Sequence, residues 1–205
     1  MSEKTSRDIR HELVAEAARD AKRSHRGRRI VGWAGVLAVG LAILGFMLVT
    51  SRPESSDAVK AAPDFTLTDT QGRNVTLTDF RGSNVLLYFS EGAGCQACLT
   101  QMAEIEKQTD ALKALNLTVL PIVMNTREQI TADMTFNGVK TPFLLDDGTV
   151  SAEYDTLGKG MHAGLPGHSF ILIDKEGVQR WYGEYPSMWL APEQLFDEVR
   201  TRLQG

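Results

Sequence analysis

The sequence contains little cysteine and no repeats. Its 205 residues include only two cysteines, and these lie so close together that a bond between them would close a very short loop. Closing such a loop removes little conformational entropy from the unfolded chain, which argues against a purely stabilising disulfide. Neither an internal repeat nor a low-complexity tract is present, so the sequence excludes repeat architectures.

Most of the chain also lacks an excess of basic side chains. The formal net charge is −4. The positive side chains are concentrated in residues 1–29, so residues 30–205 are acidic overall. Proteins that bind nucleic acids present a basic face to the phosphates. The sequence therefore predicts no nucleic-acid partner.

One long segment lacks charge altogether. Residues 30–49 read IVGWAGVLAVGLAILGFMLV, and a helix of that length spans a hydrocarbon core of about 30 Å. A basic cluster at 22–29 precedes the segment, whereas Arg52 and then Glu54 and Asp57 follow it. The positive-inside rule then places the N-terminus in the cytoplasm and the rest outside. We expect a retained single-pass anchor in the cell membrane, because the apolar core exceeds the roughly 7–15 residues of a cleaved signal peptide.

Both cysteines fall in one motif, Cys95-Gln96-Ala97-Cys98. The apolar run Val85–Phe89 precedes the motif and predicts a buried strand. Apolar residues at helical spacing follow it from Leu99 to Leu115. We therefore expect the pair in the first turn of a helix, where the partial positive charge of the helix end favours the reactive thiolate. Such a pair indicates redox chemistry or metal binding.

The sequence divides the chain into four parts. These are a basic cytoplasmic tail at 1–29, a transmembrane helix at 30–49, a linker at 50–61 and a redox domain at 62–205. Within the domain, apolar runs predict strands at 65–67, 75–77, 85–89, 117–123, 143–145, 168–173 and 178–183. Besides the helix that follows the cysteines, helices are predicted at 127–136, 150–157 and 192–203. Strands that alternate with helices and end in a hairpin plus helix imply an α/β sandwich with a central mixed sheet flanked by helices.

Several segments carry a family resemblance. Ala62–Leu67 and Leu77–Gly82 resemble the opening of thioredoxin-like domains related to peroxiredoxins. Ser169–Gly177 looks like their "TFLIDxxG" strand and turn, and Thr141–Gly148 is similar to the "FPLLSD" segment of peroxiredoxins. The domain thus resembles the AhpC/TSA, or redoxin, superfamily, and in particular its membrane-anchored members of the TlpA and ResA type.

The resemblance implies a thioredoxin-like sandwich and thiol–disulfide oxidoreductase activity. The active group would be a redox-active disulfide, with no other cofactor. The partners implied are exported proteins that carry thiols or disulfides, together with a membrane electron donor or acceptor. The redox domain would then lie outside the cytoplasm.

Two positions depart from the pattern of that family. Gly94 stands where a tryptophan usually precedes the first cysteine. Thioredoxin-like folds also place a cis-proline against the cysteines, but here Pro166 lies one residue upstream of that position and Gly167 occupies it. Pro166 is still a candidate site residue, and both a cis and a trans bond before it are open.

Thiol–disulfide exchange is the chemistry that the motif favours. Cys95 would attack a substrate disulfide as the thiolate, and Cys98, about one helical turn further on, would resolve the mixed disulfide. Glu91, four residues before Cys95, is a candidate donor or acceptor of a proton. The sequence leaves the direction of electron flow open.

Two alternatives stay open. A peroxidase would use Cys98, but Cys95 then occupies the hydroxyl position of the peroxiredoxin motif P-x-x-x-[T/S]-x-x-C, and Glu91 occupies that of the proline. A copper-binding module similar to Sco-type proteins would add His168 and His162 to the two thiolates, a set that suits Cu(I) or Zn(II). In a redox enzyme, His168 could instead favour the thiolate through its charge or act as a proton shuttle.

Overall fold

The computed structural model describes residues 33–49, 52–57, 59–158 and 163–204. The chain divides into two compact units, residues 1–50 and residues 51–205. In the first unit, residues 33–49 form helix α1, whose apolar side chains are exposed. None of the described helices is both long enough and apolar enough to cross a membrane. The predicted basic tail and residues 30–32 of the predicted anchor lie outside the described residues.

The second unit is built around one mixed sheet, to which the described residues contribute nine strands. They are β1 (Glu54–Ser56), β2 (Lys60–Ala61), β3 (Thr66–Asp69), β4 (Asn74–Thr76), β5 (Asn84–Phe89), β6 (Leu117–Val123), β7 (Leu144–Leu145), β8 (Ser169–Ile173) and β9 (Val178–Glu184). The order across the sheet is β1-β9-β8-β5-β6-β7-β3-β4, and β2 also pairs with β9. β5, β6 and β7 are parallel neighbours, and the other pairs are antiparallel. The predicted mixed sheet is confirmed.

The central strand β5 is buried on both faces of the sheet, as its unbroken apolar sequence predicts. On one face, Leu86 and Tyr88 join side chains of α2 (Gln96–Glu106), α4 (Arg127–Asn137) and α6 (Pro192–Leu203) in one core cluster. On the other face, Leu87 and Phe89 pack with α5 (Thr149–Glu153) and the residue that follows it. Helices therefore flank the sheet on both sides, and Cys98 belongs to the first cluster.

The helix predicted between the cysteines and Leu115 is interrupted. The structure contains two helices there, α2 and α3 (Thr109–Ala114). The break falls between Ile105 and Leu112, where positions 108 and 109 carry Gln and Thr. No apolar side chain holds a continuous helix on the core at that point, so the prediction of one helix was wrong.

The segment predicted as a linker is partly folded onto the sheet. β1 and β2 pair with β9, which would otherwise be an edge strand. Trp181 of β9 donates its Nε1–H to Ser55 Oγ at 2.9 Å, and Arg202 of α6 pairs with Asp57 at 2.7 Å. An edge strand presents unpaired backbone groups that another strand can satisfy. The Ser- and charge-rich composition of the segment does not reveal this pairing.

Helix α6 packs on the core through Leu195, and a substitution of this residue tests that packing. Leu195 is 0% exposed, whereas Phe136 on α4 is 83% exposed. We expect Leu195→Ala to lower the free energy of unfolding by about 2–5 kcal/mol, because it removes buried methyl groups and leaves a cavity. Phe136→Ala is the control and should change it by less than about 0.5 kcal/mol. Urea denaturation measures both variants, and equal losses would contradict the burial of Leu195.

Candidate redox site

The two cysteines lie where a strand runs into a helix, as the sequence predicts. β5 ends at Phe89, residues 90–94 form a turn, and Cys95 is the N-cap of α2. Cys95 and Cys98 form a disulfide, with their Cα atoms 5.3 Å apart. The predicted placement of the pair in the first turn of a helix is confirmed.

The two cysteines differ in their access to solvent. Cys95 is half-buried, whereas Cys98 is 1% exposed and packs in the core cluster. The Cys98 N–H donates to the Cys95 carbonyl oxygen at 3.1 Å and lies 3.3 Å from Cys95 Sγ, which accepts from it. Backbone N–H groups and the dipole at a helix N-terminus stabilise a thiolate. Cys95 is therefore the sulfur suited to attack, and Cys98 is the one suited to close the ring.

Side chains from α4 and from the loop before it hold the cysteine turn. The Ala93 N–H donates to Asn125 Oδ1 and the Gly94 N–H donates to Asp133 Oδ2, both at 2.8 Å. Gln96 of α2 also bonds to Asn137 through their side chains. The sequence did not predict a role for these residues. The order of the strands could have pointed to Asn125. Because β5 and β6 are parallel, the residues that follow them lie at the same edge of the sheet.

Two glycines shape the turn. Gly92 has φ +72°, and a Cβ there would collide with Asn125 Oδ1 and lie 2.7 Å from Val123 Cγ1. Gly94 has φ +89°, a left-handed conformation that glycine adopts without strain. This conformation gives a physical reason for the missing tryptophan, since a bulky side chain at position 94 would be strained.

His168 lies in the core beneath the cysteine helix. It is 1% exposed, and its Nδ1 lies 3.2 Å from the hydroxyl of Tyr88, which in turn bonds to the Cys98 carbonyl oxygen at 3.1 Å. Burial lowers the pKa of His168 to about 4, so the imidazole is neutral at pH 7. Because burial opposes the charged imidazole, it argues against the hypothesis that His168 favours the thiolate through its charge. The hypothesis that His168 shuttles protons stays a prediction.

The structure describes two of the three remaining predicted site residues. Glu91 is half-buried at the start of the cysteine turn. Pro166 is buried, forms a bridge with Leu157, and follows a trans peptide bond. His162 lies outside the described residues. Among the residues that the structure describes, no group of three or more His, Cys, Asp or Glu side chains converges in a way that could hold a metal ion.

A polar cleft of about 860 Å³ lies beside β9, away from the disulfide. Residues of β1 and β9 line it together with Tyr154 and Asp155 at the end of α5, and neither cysteine contributes to it. Tyr154 and Tyr182 pack in the core cluster on the opposite face of the sheet from Cys98. The cleft is therefore separate from the redox site.

The fold of the chain agrees with that of known proteins. Residues 58–182 match the family model described as the AhpC/TSA family, which is more than half of the chain. No curated protein matches the chain significantly.

Several solved structures are similar to the chain. A candidate protein disulfide isomerase from Bacteroides thetaiotaomicron is 26% identical, covers 73% of this chain and 95% of its own, and has a TM-score of 0.55. The reduced 2-Cys peroxiredoxin of Plasmodium vivax is 20% identical over 73% of this chain and 98% of its own, with a TM-score of 0.63. Peroxidoxin BcpB of Mycobacterium tuberculosis is 16% identical over 72% and 96%, with a TM-score of 0.60. The identities to the last two are so low that they support the fold alone.

The buried His168 makes stability depend on pH. Its folded pKa of about 4 lies below the usual 6.5, so the unfolded chain binds the proton more tightly. Above pH 6.5 the free energy of unfolding does not suffer from this difference. As the pH falls towards 4, protonation of His168 in the unfolded chain lowers the free energy of unfolding by about 3 kcal/mol in total. We expect the free energy of unfolding of His168→Gln, measured in urea, to fall less across this window. Parallel curves for the two proteins would contradict this, because the carboxylates that both share cancel in the difference.

Proposed function

Because the chain belongs to the AhpC/TSA family, we propose that it is a thiol–disulfide oxidoreductase that exchanges disulfides in other proteins through Cys95 and Cys98. One observation carries the proposal. A half-buried cysteine caps a helix, and a buried cysteine one turn further on closes a disulfide with it. The likeness to the candidate protein disulfide isomerase, at 26% identity, supports the same chemistry.

In the reducing direction, the exchange takes two steps. The Cys95 thiolate attacks one sulfur of a substrate disulfide, and the other substrate sulfur leaves as a thiolate that takes up a proton. The Cys98 thiolate then attacks Cys95 Sγ, and the bond between Cys95 and the substrate breaks. The substrate gains two electrons, and the pair becomes the disulfide. A membrane electron donor would restore the dithiol, and the reverse sequence would need an acceptor.

The position of Cys98 supports exchange over peroxide reduction. By the family resemblance, Cys98 corresponds to the cysteine that peroxiredoxins use against peroxide. Here it is 1% exposed and bonded to Cys95, which occupies the position of the family's hydroxyl. A peroxide would therefore have to reach a buried sulfur that lacks the usual hydroxyl beside it.

Serine variants of the two cysteines test the proposal. The reduced protein should reduce insulin disulfides, and Cys95→Ser should lose this activity by more than about 100-fold, because the attacking thiolate is gone. Cys98→Ser should accumulate a mixed disulfide with the substrate, which non-reducing gels detect. Fast consumption of hydrogen peroxide by Cys95→Ser would contradict exchange and favour a peroxidase.

We propose further that residues 30–49 tether the domain to the cell membrane and that its partners are exported proteins. The uncharged run, the basic cluster before it and the exposed apolar side chains of α1 support a tether. The positive-inside rule would place the redox domain outside the cytoplasm. Exported proteins that carry thiols or disulfides would meet the cysteines there.

Membrane extraction of the full chain tests the tether. The chain should stay in the membrane pellet after alkaline carbonate, and a membrane-impermeant maleimide should label its reduced cysteines in intact cells. Leu37→Arg combined with Leu41→Arg should release it, because each arginine costs about 2.5–3.5 kcal/mol at the centre of a membrane helix. Leu37→Ile combined with Leu41→Ile is the matched control. Equal release of all three proteins from the membrane pellet into the supernatant would rule out the tether.

A further inference from the structure

Tyr88 and His168 form a buried polar contact that the exchange steps do not use. The two residues are 0% and 1% exposed. Tyr88 Oη lies 3.1 Å from the Cys98 carbonyl oxygen and 3.2 Å from His168 Nδ1, and the two rings pack edge to face with their centroids 5.0 Å apart. In a buried core, a polar group without a hydrogen-bond partner destabilises the fold. The contact is therefore a constraint on where the protons lie.

The number of protons fixes the direction of both hydrogen bonds. The hydroxyl of Tyr88 carries one proton, and the Cys98 carbonyl can only accept. Once Tyr88 donates to Cys98, its oxygen must accept from His168, and His168 Nδ1 must then carry the ring proton. His168 Nε2, which keeps a lone pair in this tautomer, has no hydrogen-bond partner among the described residues. The chain of bonds thus runs from His168 through Tyr88 to Cys98.

These hydrogen bonds connect the backbone of Cys98 to the central strand of the sheet. Tyr88 lies in β5, between Pro121 of β6 and Phe170 of β8 in the pairing register. The Cys98 carbonyl accepts from this strand, while the Cys98 N–H donates to Cys95. The bond from Tyr88 goes to the backbone of Cys98 and involves neither sulfur, so opening the disulfide does not itself break it.

We propose that Tyr88, oriented by the Nδ1–H tautomer of His168, is a positioning residue for the resolving step. This inference rests on the proposed exchange function. Ring closure requires Cys98 Sγ to approach Cys95 Sγ in line with the bond to the substrate, and a fixed backbone at Cys98 favours that approach. The step forms the Cys95–Cys98 bond, breaks the bond from Cys95 to the substrate and releases a substrate thiolate. The hydrogen-bonded side chains of His168 and Tyr88 neither gain nor lose a proton in this step.

One chromogenic disulfide, dithiobis(nitrobenzoate), separates the two steps in the reduced full chain. With one equivalent, the first thionitrobenzoate is released when Cys95 attacks and the second when Cys98 resolves. Tyr88→Phe should slow the second release roughly three- to tenfold, the effect of losing one hydrogen bond, and leave the first within about twofold.

The matched control is Tyr154→Phe. Tyr154 also donates its hydroxyl to a backbone carbonyl, that of Pro63 at 2.6 Å, but it packs in the cluster on the other face of the sheet. We expect both releases to keep their rates in this variant. Equal slowing of the second release in Tyr88→Phe and Tyr154→Phe, or no slowing in Tyr88→Phe, would overturn the positioning role. An unsubstituted protein that never releases the second thionitrobenzoate would overturn the exchange function as well.

Nitrogen NMR of the unsubstituted protein tests the same hydrogen bonds without any variant at Tyr88. With histidine labelled in both ring nitrogens, and with His168→Gln used to assign the signal, Nδ1 of His168 should be protonated and Nε2 should not. A proton on Nε2 at pH 7 would overturn the inferred tautomer and the direction of the chain.

Discussion

The chemistry of this chain depends on the attachment of one helical turn to the end of one central strand. The field of a helix N-terminus acts mainly within its first turn, so a cysteine gains from it only at the cap or just after it. Cys95 occupies the cap of α2 because the turn from β5 is short and contains two glycines with positive φ. Bonds from Asn125 and Asp133 hold that turn in place. The short turn and these bonds therefore fix the helix end against the strand end.

Burial divides the roles of the side chains in that unit. Cys95 stays within reach of solvent, whereas Cys98, Tyr88 and His168 are enclosed in the core cluster. Inside the core, an unmade hydrogen bond is costly, so each polar contact is both strong and directional. The same desolvation keeps His168 neutral. A neutral histidine contributes through geometry where a charged one would contribute through its field.

The sequence predicted what is local and missed what joins distant segments. The strand, the turn and the helix around the cysteines follow from patterns within about 20 residues, and the mixed α/β sheet follows from the alternation of elements. The bonds from Ala93 to Asn125 and from Gly94 to Asp133 span 32 and 39 residues, and no periodicity reports such contacts. The pairing of β1 and β2 with β9 was missed for the same reason. His168 was placed near the site, but its partner is Tyr88, which looked like one more apolar position in a buried strand.

The topology also sets the order in which the site can assemble. Tyr88 and His168 are 80 residues apart in the chain, and β5 has β8 as one of its two neighbours. At a synthesis rate of about 5–20 residues per second, roughly 4–16 s separate their emergence from the ribosome. During that interval the nascent chain carries both thiols without the strand that completes the sheet around them. The contact between Tyr88 and His168 can therefore form only after translation has delivered β8.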